Sequence, residues 1–123
     1  MKIFSDLRNT IGFERLHLPF IETLEDRSIA AHIGYFELVR ETPLTLKRLY
    51  LLGIGSIATV QRRLARLVAM GIVVKRRQAT DRRAFALHLA ANTKRDYNLF
   101  ATALASKTGI GDVDATRRAG KTR

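Results

Sequence analysis

Between Ser56 and Gly71 the apolar residues recur at helical spacing. Ile57, Val60, Leu64, Leu67 and Val68 share one face at about 100° per residue, while Ala58, Thr59, Arg62 and Arg66 point the other way and Ser56 and Arg63 flank them. Ser56 suits the N-cap, where a hydroxyl accepts from an otherwise unpaired amide, and Gly71 suits the position after the C-cap, where a left-handed conformation is needed. Before this helix, Leu46, Leu49 and Tyr50 come after Pro43 and Thr45 at helical spacing, predicting a short helix that meets a turn at Gly53-Ile54-Gly55. After it, Ile72-Val73-Val74 is β-branched, Lys75 to Arg83 is polar and basic, and Phe85, Leu87 and Leu89 alternate as a half-buried strand does, so a hairpin is expected.

The flanks are plainer. Thr23 with Asp26 three residues on forms a capping-box pattern, and the helix it opens should run from about Leu24 to Arg40, ending before Pro43. Its apolar residues make two stripes, one of Ile29, Ile33 and Phe36 and one of Leu24, Ala31, Tyr35 and Leu38. A surface helix needs only one, so burial on both sides is expected, either within a small core or against a second subunit. Ile3, Phe4, Leu7 and Ile11 suit one short amphipathic helix, and Gly12 and Pro19 interrupt the residues beyond it. Thr93 and Asp96 mark a further helix start, with Tyr97, Phe100, Ala101 and Leu104 behind them. The pattern therefore predicts a mainly α fold with a small antiparallel β-hairpin, a winged helix-turn-helix. Its parts are an N-terminal segment over 1–22 holding a short helix, the winged domain over 23–105 and a basic, disordered tail over 106–123.

Charge adds a partner to this picture. The net charge of +11 is unevenly placed: residues 1–44 carry five basic against seven acidic side chains, and residues 45–123 carry 17 basic against four acidic. Every glutamate lies at or before Glu41. A basic charge spread over a helix, a hairpin and a tail fits a polyanion, above all nucleic acid, better than an anionic membrane, which favours one basic amphipathic helix. On the helix between Ser56 and Gly71, small residues between arginines leave room for base edges. Ser56, Thr59, Arg62, Arg63 and Arg66 are therefore the candidates for the major groove and its flanking phosphates. Lys47 and Arg48 are placed to hold the DNA backbone from the preceding helix. The hairpin tip, with Arg76, Arg77, Arg82 and Arg83, is placed to enter a minor groove. The bland counterpart is a set of solvated basic faces. The same holds for Arg117, Arg118, Lys121 and Arg123 in the tail, which would otherwise add non-specific DNA affinity.

Here the chain resembles the multiple-antibiotic-resistance regulator (MarR) family. The resemblance rests on the Ser56-x-x-Thr59-Val60 start, the Arg63-Leu64-x-x-Leu67 middle, the Gly71-Ile72-Val73 exit, the Asp81-Arg82-Arg83 wing tip and the Leu87-x-Leu89 strand leading into a final helix. It covers Thr45 to Ala105, about half of the chain. It implies a cytoplasmic, dimeric transcriptional regulator, often a repressor, sometimes released by a small-molecule effector, with Asp81 orienting Arg83 or Arg82 toward the minor groove. The chain departs from the family after Ser106, where a second long C-terminal helix is usual and a polar, glycine-containing stretch stands instead.

Other chemistry is sparse. No cysteine is present, which removes thiolate metal sites and disulfides. His17, His32 and His88 have no metal-ligand spacing, so neither metal nor cofactor is expected. His32 reads as an ordinary helix histidine, and His88 should point outward from its strand. Glu22, Glu25 and Asp26 gather at a helix N-terminus, as the macrodipole alone would arrange. Gly53-Ile54-Gly55 lacks a phosphate-loop lysine, and no enzyme is expected. No apolar run is long enough to span a membrane, and the N-terminus has no signal-peptide layout. The expectation is a sequence-specific double-stranded DNA-binding regulator. The alternatives are a winged-helix protein-interaction module, which would not need the basic excess, and a plasmid replication or partition protein, which the sequence does not separate from a transcription factor.

Overall fold

The computed structural model describes residues 1–81 and 83–108. The elements are α1 (Lys2–His17), α2 (Leu24–Gly34) continued by a π-helical turn over Tyr35–Val39, β1 (Leu44–Thr45), α3 (Leu46–Leu51), α4 (Ile57–Ala69), β2 (Val73–Arg77), β3 (Phe85–Leu89) and α5 (Ala91–Thr108). They divide into two compact units, residues 20–94 and residues 1–19 with those from 95 onward. The partition falls within α5, between residues 94 and 95. The expected disordered tail falls mostly on residues 109–123, outside the described residues.

The unit over 20–94 is a winged helix. β2 and β3 pair antiparallel from Val73↔Leu89 to Arg77↔Phe85, and the sheet has the order β1-β3-β2. The third strand, only two residues long, pairs Leu44 with Leu87 and Thr45 with Ala86. Its core gathers Ile29 and Ile33 from α2, Leu49 from α3, Val60, Leu64 and Leu67 from α4, and Val73, Leu87 and Leu89 from the sheet, all buried. Side chains one helical turn apart on α2 and α4 thus interlock over one face of the sheet. Gly34 allows the closest approach: a Cβ there would stand 3.0 Å from Leu89 Cδ1.

Local signals set the helix ends. Thr23 and Asp26 form the expected capping box, with Asp26 Oδ2 accepting from the Thr23 amide at 3.2 Å and Thr23 Oγ1 accepting from the Asp26 amide at 3.1 Å. Ser56 caps α4 by accepting from the Thr59 amide at 3.1 Å. At the other end Gly71 has φ 74°, its amide donates to the Val68 carbonyl, and the Ile72 amide donates to that of Leu67. This paired closure satisfies two carbonyls that the helix leaves open.

Three features differ from the sequence expectation. Ile57 lies 57% exposed, because it opens the first turn of α4, beyond the reach of the core that takes Val60 and Leu64. Among the described residues the second stripe of α2 stays open, with Leu24, Tyr35 and Leu38 exposed, so the core does not take it and burial against a second subunit is the alternative left. In the other unit, α1 is not short. It runs through Gly12, which has open space around its Cα, to His17, and none of its residues is buried.

Candidate nucleic-acid interface

The site grows from α4 and the two elements beside it. Ser56 and Thr59 are linked, Ser56 Oγ donating to Thr59 Oγ1 at 2.9 Å, which fixes two hydroxyls on the first turn. Ala58, Gln61, Arg62 and Ala65 are exposed and make the outer face of the helix. Arg62 lies there, exposed, with the small side chains of Ala58 and Ala65 beside it.

Arg63 and Arg66 are placed differently from the expectation. Their guanidinium groups turn back along α4 to the N-terminus of α2. Arg63 Nε donates to Asp26 Oδ1 at 2.8 Å and its Nη2 to Asp26 Oδ2 at 2.6 Å, and Nη2 also reaches Glu22 Oε1 at 3.1 Å. Arg66 Nη1 donates to Asp26 Oδ2 at 3.2 Å and to the Phe20 carbonyl at 2.9 Å, and its Nη2 pairs with Glu22 Oε2 at 3.1 Å. The Asp26 side chain is wholly buried, and every oxygen of it is matched by a donor. Burial by itself pushes the Asp26 carboxyl up. The Arg63 hydrogen bonds and the Glu22 and Thr23 amides outweigh that and hold it below the ordinary aspartate value. The same pairing raises the Arg63 guanidinium further. The acidic group at Glu22–Asp26, read from the sequence as a dipole partner with Asp26 in a capping box, is therefore also the clasp that fixes α4 against α2. The bipolar charge of the chain held that signal.

A second carboxylate, half-buried, stands on the π-turn. Glu37 accepts from Lys94 Nζ at 2.6 Å, from the Leu89 amide at 2.9 Å and from His88 Nδ1 at 3.1 Å. Its burial would raise its carboxyl, and these three partners, led by Lys94, bring it below the ordinary glutamate value. His88, expected to point outward, is thus half-buried beside Glu37, while His32 is the plain helix histidine expected, with Nδ1 2.8 Å from the Ser28 carbonyl.

On the α3 side, Lys47 is exposed and shares a shallow cleft with Tyr50, Asp81, Arg83 and Phe85. The Arg48 guanidinium lies over the Phe36 ring, 5.4 Å from its centre, a contact that its helix position gave no hint of. At the wing, Asp81 Oδ1 accepts from the Arg83 amide at 3.0 Å, so the carboxylate shapes the turn through the backbone of that residue. The Arg83 side chain is exposed, and Arg82 lies outside the described residues. In the same hairpin stand Lys75, which the sequence reading did not single out, and Arg77, which it placed at the hairpin tip. Lys75 Nζ and the Arg77 guanidinium both lie over the ring of Phe85, at 4.6 and 5.0 Å from its centre. Among the described residues no group of histidine, aspartate and glutamate could hold a metal ion. No described helix is long and apolar enough to cross a membrane.

Sequence comparison matches no protein-family model and no curated protein. Solved structures do match. MarR aligns over 98% of this chain and 93% of its own, at 16% identity and a TM-score of 0.51. A transcriptional regulator from Thermotoga maritima aligns over 91% and 72%, at 16% identity and 0.58. A mutant MarR from E. coli complexed with operator DNA aligns over 97% and 87%, at 13% identity and 0.57. The chain carries the winged helix-turn-helix fold of the MarR-type transcriptional regulators.

Proposed function

We propose that the protein binds double-stranded DNA at specific sequences and regulates transcription, as a repressor acting in the cytoplasm. The observation that carries this is the outer face of α4, where exposed Arg62 and Gln61 stand between Ala58 and Ala65 beside the capped hydroxyls of Ser56 and Thr59. Arginine and glutamine read guanine and adenine edges, and alanines let the helix sink into a major groove. Arg83, on the turn shaped by Asp81, is the minor-groove contact, and Lys47 holds the backbone from α3. Arg63 and Arg66 act as positioning residues, setting the angle of α4 through Asp26. The fold is the one that MarR uses in its complex with operator DNA, which supports the reading.

The working form is a homodimer. Ile3, Phe4, Leu7 and Ile11 of α1 are exposed on one helical face, an apolar stripe that a second copy of the chain would cover. Sedimentation equilibrium at tens of micromolar should give twice the chain mass, and monomer alone would remove the dimer. An effector is left open by the residues.

The testing experiment is selection from a random double-stranded pool at physiological salt, then anisotropy titration of the recovered duplexes. A recurrent motif bound about 10³-fold or more above random DNA is expected for a site-specific regulator, and a palindrome for a symmetric dimer. Absence of DNA binding would overturn the proposal.

A further inference from the structure

A helix in a major groove and a hairpin in the adjoining minor groove straddle one sugar–phosphate strand. Whatever the protein places between the two elements faces that strand. In the winged unit that place is the base of the hairpin. Leu46 and Tyr50 of α3 line two shallow clefts, one bounded by Gln61, Ala65 and Lys75, the other by Arg83 and Phe85. Lys75 thus borders the flank of α4, and Phe85 borders the turn that carries Arg83.

The strand register explains what sits there. Val73, Lys75 and Arg77 share one face of β2, and Leu89, Leu87 and Phe85 oppose them on β3. Near α4 this face is core, with Val73, Leu87 and Leu89 buried. Toward the turn it emerges into solvent, and the apolar ladder ends on Phe85 with two cations over its ring. Two like charges on alternate residues of one strand would ordinarily splay apart. The negative face of one ring attracts both and holds their stems on the protein, with Lys75 at the cleft beside α4.

We infer that Phe85 is a positioning residue that presents Lys75 and Arg77 to the phosphate strand between the two grooves. Neither cation belongs to the sequence-reading part of the interface. The pair supplies register and affinity without discrimination, since phosphates carry no direct sequence information. The inference rests on the DNA-binding proposal.

The test is anisotropy titration of the full chain at several salt concentrations, on a selected duplex and on a random-sequence duplex of the same length. The variants are Lys75→Ala with Arg77→Ala, Phe85→Leu and Phe85→Tyr. Each phosphate contact contributes about 0.9 to the slope of log K against log [salt], so the double variant should lose about 1.8 from it. Phe85→Leu keeps apolar bulk but removes the π-face. Two exposed cation–π contacts at about 0.5–1 kcal/mol each convert to a loss of about 5- to 30-fold on both duplexes, with the ratio between them unchanged. Phe85→Tyr, which keeps the face, should bind as the parent does. A double variant that keeps the steep slope of a DNA-binding parent overturns the inference and spares the DNA-binding proposal. Phe85→Tyr failing as Phe85→Leu does, with both melting at the parent's temperature, also overturns it. A parent that binds neither duplex overturns the proposal and the inference together.

Discussion

Replacing Asp26 with asparagine separates charge from shape in the clasp between α2 and α4. The Asp26 Oδ2 atom accepts from the Glu22 and Thr23 amides, from Arg63 Nη2 and from Arg66 Nη1, whereas Oδ1 accepts from Arg63 Nε. An asparagine with its oxygen in the Oδ2 place keeps the cap. Its NH2 group then faces the Arg63 Nε–H, donor against donor, and two guanidinium groups lose their buried anion. Breaking a buried pair costs about 3–5 kcal/mol. The arginine side chains, 16% and 23% exposed, turn partly to water and to Glu22, which sets the expectation at the lower end, about 3 kcal/mol. Asp26→Ala also removes the cap and adds about 1 kcal/mol. The assay is urea unfolding at fixed protein concentration. With a slope of about 1.5–2 kcal/mol/M, Asp26→Asn should lower the midpoint by about 1.5–2 M at constant slope. A midpoint within about 0.5 M of the parent would refute the clasp as a source of stability.

The remaining expectations come from other parts of the molecule. The Asp26 and Glu37 carboxyls are held below their ordinary values, so the stability they contribute is full above about pH 4.5 and is lost as pH falls through the lowered folded-state values. Calorimetry should show a steady Tm from pH 7 to 5 and a steep fall below about 4 that Asp26→Asn flattens; a Tm independent of pH down to 2 would contradict it. Arg62→Ala should leave the melting curve within about 0.5 kcal/mol of the parent while reducing cognate binding by about 1–3 kcal/mol if Arg62 reads a base. An unchanged ratio of cognate to random binding would move Arg62 to the phosphates. Gly71→Ala should cost about 1–2 kcal/mol in urea unfolding, because φ is 74° there and nothing lies near enough to clash, leaving backbone conformation as the sole penalty. No loss would mean that the turn relaxes.

How legible this was depended on distance along the chain. Ser56, Gly71, Thr23 with Asp26, and the alternation of Phe85, Leu87 and Leu89 are local rules, and each stands where its rule put it. The two-residue strand at Leu44 left no period to detect, and it exists because Leu87 and Ala86 offer it an edge. Gly12 read as a break because glycine disfavours helix by about 1 kcal/mol, which is a cost and not a stop. Arg63 and Arg66 misled for a different reason. Their position on α4 was right, but their partners lie some 40 residues earlier, and periodicity holds no information about a pairing of that range. The exposed α4 face thereby reduces to fewer candidates than the spacing of arginines suggested, with Arg62 chief among them.

The π-turn has a consequence for solubility. Beyond Leu87 the outer edge of β3 has no strand beside it among the described residues, since β1 covers only Ala86 and Leu87. An open edge is a template on which another chain can add a strand. The extra residue of the π-turn rotates the end of this helix so that the Glu37 carboxylate meets that edge, and Oε1 takes the Leu89 amide at 2.9 Å. A side chain thus stands where a foreign backbone would dock, and it brings a negative charge that Lys94 and His88 keep in place. In a protein that exposes this much apolar surface elsewhere, closing the sheet with a carboxylate guards against fibrous self-association.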